Sequence, residues 1–297
     1  MTENKGFKSG FVTIIGSPNV GKSTLLNHIV GQKIAIISNK PQTTRNTILA
    51  IYSDENRQIV FTDTPGIHKA RTKLGEYMVR AAKESVDEMD AILFVIDATR
   101  PVTDNDREIA ESIKKTSLPA ILVLNKIDLM NKDDLLPLIA EFSQSGDFKA
   151  IIPVSALRSN GIDLLLDELT ELMPEGIAFY PEEMVTDQPE KQIAAEIIRE
   201  KLLWLLDKEV PHGIAIEIEA MKEKDTITEI SAVIYCEKAS HKGIVIGKNG
   251  TLLKKVGEKA RIDIERMLDK KVYLQLWVKV KNDWRNSNYL IKNFGYE

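Results

Sequence analysis

The chain carries a single cysteine, Cys236, so no intramolecular disulfide can form, and no Cys/His cluster has the spacing of a metal site. It has no apolar run approaching the ~18 residues that span a bilayer. Its opening stretch, "MTENKGFKSG", is polar and lacks the apolar segment of a secretory signal. These absences argue against a disulfide-stapled secreted domain and a membrane-spanning protein, and they predict a soluble cytoplasmic one. Basic charge is not in excess either. The formal net charge of -4 excludes a uniformly basic nucleic-acid coat, although a local basic face remains open. Repeats and low-complexity tracts are missing. What is present is 43% hydrophobic and 28% charged residues over 297 positions, enough for a packed core and, at this length, for two domains of ordinary size.

The first half alternates β-branched apolar runs with helix-patterned stretches. The runs are "FVTII" at 11–15, "TILAIY" at 47–52, "QIVFTD" at 58–63, "AILFVID" at 91–97, "AILVLN" at 120–125 and "AIIPVS" at 150–155. Several are apolar without alternation, as strands buried on both faces of a mainly parallel sheet are. Helices are predicted over 22–30, 74–86, 104–116 and 162–172. The alternation points to an α/β domain with a mostly parallel, doubly wound sheet. Near Met173 the pattern stops, and Pro174, Pro181 and Pro189 mark a linker. We therefore expect one domain over 1–175, a linker over 176–190 and a smaller α+β domain over 191–297. In the last, a helix over 191–206 precedes two alternating strands, "GIAIEIEAM" and "TITEISAVIYCE". A helical pattern over 251–268, a strand "KVYLQLWVKV" and a short helix near 283–293 follow.

"GSPNVGKST" at 16–24 matches G-x-x-x-x-G-K-[ST] between a buried strand and a helix, the context that the phosphate-binding loop requires. Gly16, Ser17, Pro18, Asn19, Val20, Gly21, Lys22, Ser23 and Thr24 are the candidate nucleotide contacts. Glycine lets the backbone curl so that N–H groups face phosphates, and the helix N-terminus adds partial positive charge. Lys22 would reach the β- and γ-phosphates, and Ser23 would give a hydroxyl to Mg²⁺. "NKID" at 125–128 closes a buried strand at the sheet's carboxyl edge, and there Asn125, Lys126 and Asp128 select the base. A carboxylate at Asp128 can accept two N–H bonds from guanine, a pair that adenine does not offer. Ser155, Ala156 and Leu157 end the next strand, where the Ala156 N–H could meet guanine O6. GTP or GDP is thus the expected ligand. "DTPG" supplies Asp63 to hold Mg²⁺ through water and Gly66 to meet the γ-phosphate, with Thr64 and Pro65 between them. In "PQTTRN", Thr44, with Thr43 next in line, completes the metal shell. Lys22, Thr44 and Gly66 are the candidate supports of the transition state. The set resembles the five motifs of translation-factor-class GTPases.

What this half lacks is the glutamine that orients the attacking water in Ras-type enzymes: Ile67 stands there. Slow intrinsic hydrolysis is the expectation. His68 is a conceivable substitute donor, although a loop histidine is usually only solvated. Potassium-dependent GTPases that this segment resembles have an asparagine at the Asn19 position, so the resemblance implies a K⁺ near the phosphates. A purely bracing role for Asn19 is the equal alternative.

"GKNG" at 247–250 lacks the Lys-Ser/Thr ending of a nucleotide loop. It lies between "KGIVI" and "TLLKKVGEKARIDIERML", with Ile244, Val245, Ile246, Leu252, Leu253 and Val256 able to pack beneath an exposed Lys248-Asn249 tip. The arrangement resembles the KH fold, whose G-x-x-G loop clamps the backbone of about four single-stranded nucleotides. The element order looks like the type II form. From Lys238 onward fourteen Lys/Arg stand against six Asp/Glu, the asymmetry of a phosphate-binding footprint. RNA contacts are expected at Lys242, Gly243, Ile246, Gly247, Lys248, Asn249, Gly250, Lys254 and Lys255. Lys259, Arg261 and Arg266 are read as ordinary surface charges, and Trp277 and Trp284, although able to stack on bases, as core. A Ras-like GTPase followed by a type II KH domain resembles the bacterial Era GTPase family over essentially the full chain, "DTPGIHK" and "VKVKNDWRN" included. That resemblance implies 16S ribosomal RNA near its 3′ end as ligand, a role in 30S subunit assembly, a monomer, and peripheral association with the inner face of the cell membrane. A membrane-associated signalling GTPase whose C-terminal domain binds protein or lipid is the competing reading.

Overall fold

The computed structural model describes residues 6–38, 40, 43–63, 73–74, 89–145, 148–207 and 210–296. The chain forms two compact units. Unit 1 comprises 1–34, 44–67 and 78–187; unit 2 comprises 35–43, 68–77 and 188–297.

Unit 1 is built on six strands: β1 Lys8–Ile15, β2 Ile48–Ser53, β3 Arg57–Asp63, β4 Ala91–Asp97, β5 Ala120–Asn125 and β6 Ala150–Val154. Their order is β2-β3-β1-β4-β5-β6, and all neighbours run parallel except β2 against β3. The near-continuous apolar runs of β4 and β5 are buried along almost their full length, as a sheet covered on both faces demands. Strand order reverses around β1, so the carboxyl ends of β1, β3, β4, β5 and β6 gather at one edge, where open α/β sheets bind ligands. The helices are α1 Lys22–Ile29, α2 Asp104–Lys114, α3 Lys132–Ser145 and α4 Ile162–Leu172. Ile113 of α2 and Phe142 of α3 share one core with Phe94, Leu122 and Leu124. The sequence pattern missed α3 because Pro137 interrupts it. Pro137 is exposed, so water can satisfy the carbonyl that loses its partner. The helix predicted over 74–86 lies outside the described residues beyond Leu74.

The proline-rich stretch predicted to be a linker is pinned along unit 1. Ser9 N–H donates to Pro174 O at 3.1 Å, and Gly176 N–H to Phe7 O at 2.9 Å. The Gln58 carboxamide accepts from the N–H groups of Phe179 and Tyr180 at 2.6 and 2.9 Å and donates to Tyr180 O at 2.9 Å. Prolines remove donors from this stretch without preventing its other backbone groups from pairing.

Unit 2 holds α5 Glu190–Leu205, β7 Ile214–Glu223, β8 Ile227–Cys236, α6 Ala239–Ile246, α7 Thr251–Leu268, β9 Lys271–Val280 and α8 Asn288–Asn293. β8 is central, antiparallel to β7 and parallel to β9. Apolar residues of α5 and α7 pack with alternate residues of all three strands in one core. Helix α5 also carries three successive charged residues, Arg199, Glu200 and Lys201, that are buried. Lys201 bridges Glu200 at 2.6 Å and Asp263 at 2.5 Å. Glu200 accepts the Ile37 N–H at 2.8 Å, Trp204 Nε1 donates to Ile37 O at 2.8 Å, and Arg199 donates to Thr43 O. Ile37 and Thr43 are thus tied to α5.

Cys236 ends β8 fully buried, and burial pushes its thiol up to about 11. In native protein at pH 8 it should resist a thiol-reactive disulfide reagent and react in full once denatured, a difference that absorbance at 412 nm reads directly.

Candidate nucleotide and nucleic-acid sites

At the carboxyl edge of unit 1 the phosphate-binding loop is stitched to two strand ends. Asn125, the last residue of β5, is buried; its Nδ2 donates to Val20 O at 2.8 Å, and its Oδ1 accepts the N–H groups of Lys126 at 2.8 Å and Ala156 at 3.0 Å. Gly21, at φ 101°, opens α1, and a Cβ there would stand 2.2 Å from Asn125 Nδ2. Glycine is required at that position by conformation and by space together. Lys126 Nζ donates to Asn19 O at 2.9 Å and pairs with Asp97 Oδ2 at 2.6 Å. Burial pushes the Asp97 carboxyl up, but hydrogen bonds from Lys126 and Thr99 hold it below the usual carboxylate range. Asp97 was invisible in the sequence as a site residue, although its place at the end of an apolar strand was the available signal.

Asp128 is exposed in a short 3₁₀ turn, and Ser155 Oγ donates to its Oδ1 at 2.5 Å. That bond fixes the direction in which the carboxylate is presented. The Ala156 N–H, expected to face guanine O6, donates to Asn125 Oδ1 at 3.0 Å. Leu157 is exposed beside it.

Lys22 is buried, and its Nζ donates to Gly16 O at 2.8 Å and Ser17 O at 3.0 Å. Burial lowers its ammonium below the usual lysine range, opposed by attraction to Asp63. Burial likewise raises the Asp63 carboxyl, opposed by Lys22 and by the hydroxyls of Ser23 and Thr44. Ser23 Oγ, Thr44 Oγ1 and Asp63 Oδ2 form a triangle of 3.4, 3.3 and 3.3 Å. Adjacent ligands of an octahedral Mg²⁺ stand ~3.0 Å apart, so these hard oxygens suit that ion. The other oxygen, Asp63 Oδ1, is buried without a hydrogen-bond partner among the described residues. The residues therefore fit the metal. Thr64, Pro65, Gly66, Ile67 and His68 lie outside the described residues, so the expectations placed on them find no geometry here.

In unit 2, Gly247 links α6 to α7 at φ 73°, where a Cβ would approach Leu252 Cβ to 2.7 Å. Lys248 and Asn249 form the exposed tip, with Asn249 also left-handed at φ 53°. Lys242 and Gly243 are exposed on α6, Ile246 half-buried; Lys254 and Lys255 are exposed on α7. Of the apolar residues expected beneath the tip, Val245 and Val256 are buried, whereas Ile244 is 51% exposed because it falls on the outer side of α6. A groove of about 430 Å³ lies between α7 and β9, lined by Gly250, Leu253, Lys254, Arg261, Leu274 and Leu276, with Gly257 and Glu258. Sequence reading missed its β9 wall and set Arg261 aside as a surface charge. Trp284 is core, donating from Nε1 to Gly213 O at 3.0 Å, but Trp277 is 57% exposed because alternation on β9 turns it away from the helices.

The family model described as "50S ribosome-binding GTPase" matches residues 11–126, and that of the KH domain matches 209–285. The chain is 57% identical over 292 residues to the GTPase Era of Ruminiclostridium cellulolyticum, with 98% of both chains covered. It is 54% identical to that of Clostridioides difficile, covering 98% of this chain and 99% of the other. Among solved structures it is similar to a tyrosine-to-alanine variant of Aquifex aeolicus Era bound to GDP·AlF₄⁻, with TM-score 0.93, 42% identity and coverage of 98% and 99%. It is equally similar to Era in complex with MgGDPNP and nucleotides 1506–1542 of 16S ribosomal RNA, with TM-score 0.92, 43% identity and the same coverage.

Replacing Asn125 by Ala strips three hydrogen bonds from buried groups. It should weaken nucleotide affinity by roughly ten-fold or more, read by titration with a fluorescent nucleotide.

Proposed function

Because this chain belongs to the Era family of GTPases, we propose that it uses bound GTP to govern its hold on the 3′ region of 16S ribosomal RNA during assembly of the 30S subunit. The RNA half of this reading is carried by one observation, the Gly247–Gly250 turn whose exposed Lys248-Asn249 tip stands beside the α7/β9 groove.

In unit 1, Asp128, oriented by Ser155, accepts the paired N–H groups of guanine. Ser155 and Lys126 hold the neighbouring backbone, and the Ala156 N–H is shared between Asn125 and the base oxygen. Lys22 stays charged against the β- and γ-phosphates, because an adjacent anion offsets the desolvation that lowers its pKa. Ser23, Thr44 and Asp63 would hold Mg²⁺, which would supply neutralisation of phosphate charge when bound. With isoleucine at 67, no side chain there orients water, and intrinsic turnover is slow. We read Asn19, exposed in the loop, as a K⁺ ligand, and faster turnover in K⁺ than in Na⁺ is the mark of that role.

In unit 2, the glycine turn lets an RNA backbone approach, while Lys242, Lys248, Lys254 and Lys255 neutralise its phosphates. Thr43, whose carbonyl accepts from Arg199 of α5, directly precedes Thr44 in the chain, and that adjacency supports coupling of nucleotide state to RNA affinity. Linkage requires the reverse effect to be equal. The protein acts as a cytoplasmic monomer and meets a membrane only at its surface; among the described residues no helix is long and apolar enough to cross one.

Two measurements test this. Asp128→Asn should shift selectivity from GTP toward xanthosine triphosphate, seen in competition binding; unchanged preference would sink the base assignment. Fluorescence anisotropy with an RNA of nucleotides 1506–1542 should show tighter binding with a GTP analogue than with GDP. Each of the four lysines removed should flatten the log–log salt dependence by about 0.7. Preference for anionic vesicles over this RNA would instead favour a membrane-directed signalling role.

A further inference from the structure

The start of α2 grips the phosphate-binding loop from outside it. Ser17 Oγ donates to Asp106 Oδ1 at 2.5 Å and accepts from Asn105 Nδ2 at 2.7 Å, so the hydroxyl's direction is fixed from both sides. Ser17 is 5% exposed and Asp106 2%. The second oxygen, Asp106 Oδ2, accepts from Thr103 N at 3.0 Å, from Thr103 Oγ1 at 2.6 Å and from Arg100 Nη2 at 3.5 Å. Thr103 in turn accepts the Asp106 N–H, completing a capping box at the N-terminus of α2.

Capping requires only the oxygen that faces Thr103. The other oxygen is turned to a residue 89 positions earlier in the chain. A carboxylate buried beside a loop that receives phosphates is electrostatically unfavourable, and helix capping does not call for that placement. Burial pushes the Asp106 carboxyl up, but the hydrogen bonds from Ser17 and Thr103, with the Arg100 charge, hold it below the ordinary range. It is therefore an ionised, acceptor-only group, which dictates the orientation of the Ser17 proton. Two residues further along the loop, the Asn19 carbonyl is held by Lys126, itself paired to Asp97. Asp97 and Asp106 both belong to the passage from β4 into α2. That passage thus meets the loop directly at Ser17 and, through Lys126, at Asn19.

We propose that Asp106, with Asn105, is a positioning residue for nucleotide binding, fixing the Ser17 hydroxyl so that the loop backbone is held in its phosphate-receiving curl before the ligand arrives. This rests on the reading of unit 1 as the guanine-nucleotide site. A loop already held in its bound shape loses less freedom on binding, and that advantage is expressed as slower release.

The test uses full-length protein carrying Ser17→Ala, Asp106→Ala, both together, or Ala110→Gly, the last loosening α2 without touching Ser17. Release of fluorescent GDP is followed by stopped flow, well below each variant's Tm. Each of the first two changes should speed release roughly ten-fold. The double variant should match a single one, because both remove one interaction. Ala110→Gly should lower Tm and leave the release rate at the parent value. Parental release from Ser17→Ala, or effects that multiply in the double variant, overturns the proposal. A parent protein that fails to retain GDP overturns the nucleotide reading itself, so the two failures are distinct.

Discussion

Unit 1 hangs its site on the side chain of one buried asparagine. Asn125 stands where β5 runs out, level with Asp97 of β4 and Val154 of β6 in the sheet register. Strands of a parallel sheet end without any covalent tie to their neighbours at that edge, so the loops leaving them need another constraint. The Asn125 carboxamide provides it, donating toward the loop after β1 and accepting from the turn after β6. Backbone groups buried at that edge would otherwise lack partners, which costs about 1–3 kcal/mol for each one left unpaired. Gly21 follows from the same contact, since the space a side chain would need is already taken by Asn125. Gly21 thus serves the asparagine before any ligand is bound.

Both glycine loops turn on residues at positive φ, and they differ in what surrounds those turns. The first is enclosed by strand ends, carries a buried lysine and faces a triangle of oxygens suited to a divalent ion. The second joins two helices at the surface, carries its lysine at the exposed tip and borders a groove with apolar walls and charged rims. An enclosed cradle with a metal site suits a compact polyphosphate. An open turn beside a long groove suits a chain that must pass through it, because a polymer can be held only where both its ends can leave.

Helix α5 shows how far surroundings revise a side chain's role. Three consecutive charged residues on an amphipathic helix cannot all lie on its apolar stripe. They are nonetheless buried and partnered: Arg199 meets the Thr43 carbonyl, Glu200 the Ile37 N–H, and Lys201 both Glu200 and Asp263 of α7. Buried ion pairs of this kind seldom add stability over apolar packing, but losing one partner typically costs about 3–5 kcal/mol. Their presence at the segment leading into Thr44 makes that attachment specific rather than merely adhesive.

Local chemistry written into the chain was enough to place the α/β alternation, both glycine loops, the bounds of α4 and α7 and the grouping of Asn125 with Ser155 and Ala156. Each depends on residues close in sequence or on a periodicity that the backbone itself imposes. It did not show that the proline-rich stretch 174–187 belongs to unit 1, that Trp277 faces outward, or that the Ala156 N–H meets Asn125. Nor could it pair Ser17 with Asp106 or bury Arg199, Glu200 and Lys201. Those outcomes depend on partners that only folding brings near, since a hydrogen bond or a buried charge is defined by what surrounds it in space and not by its neighbours along the chain.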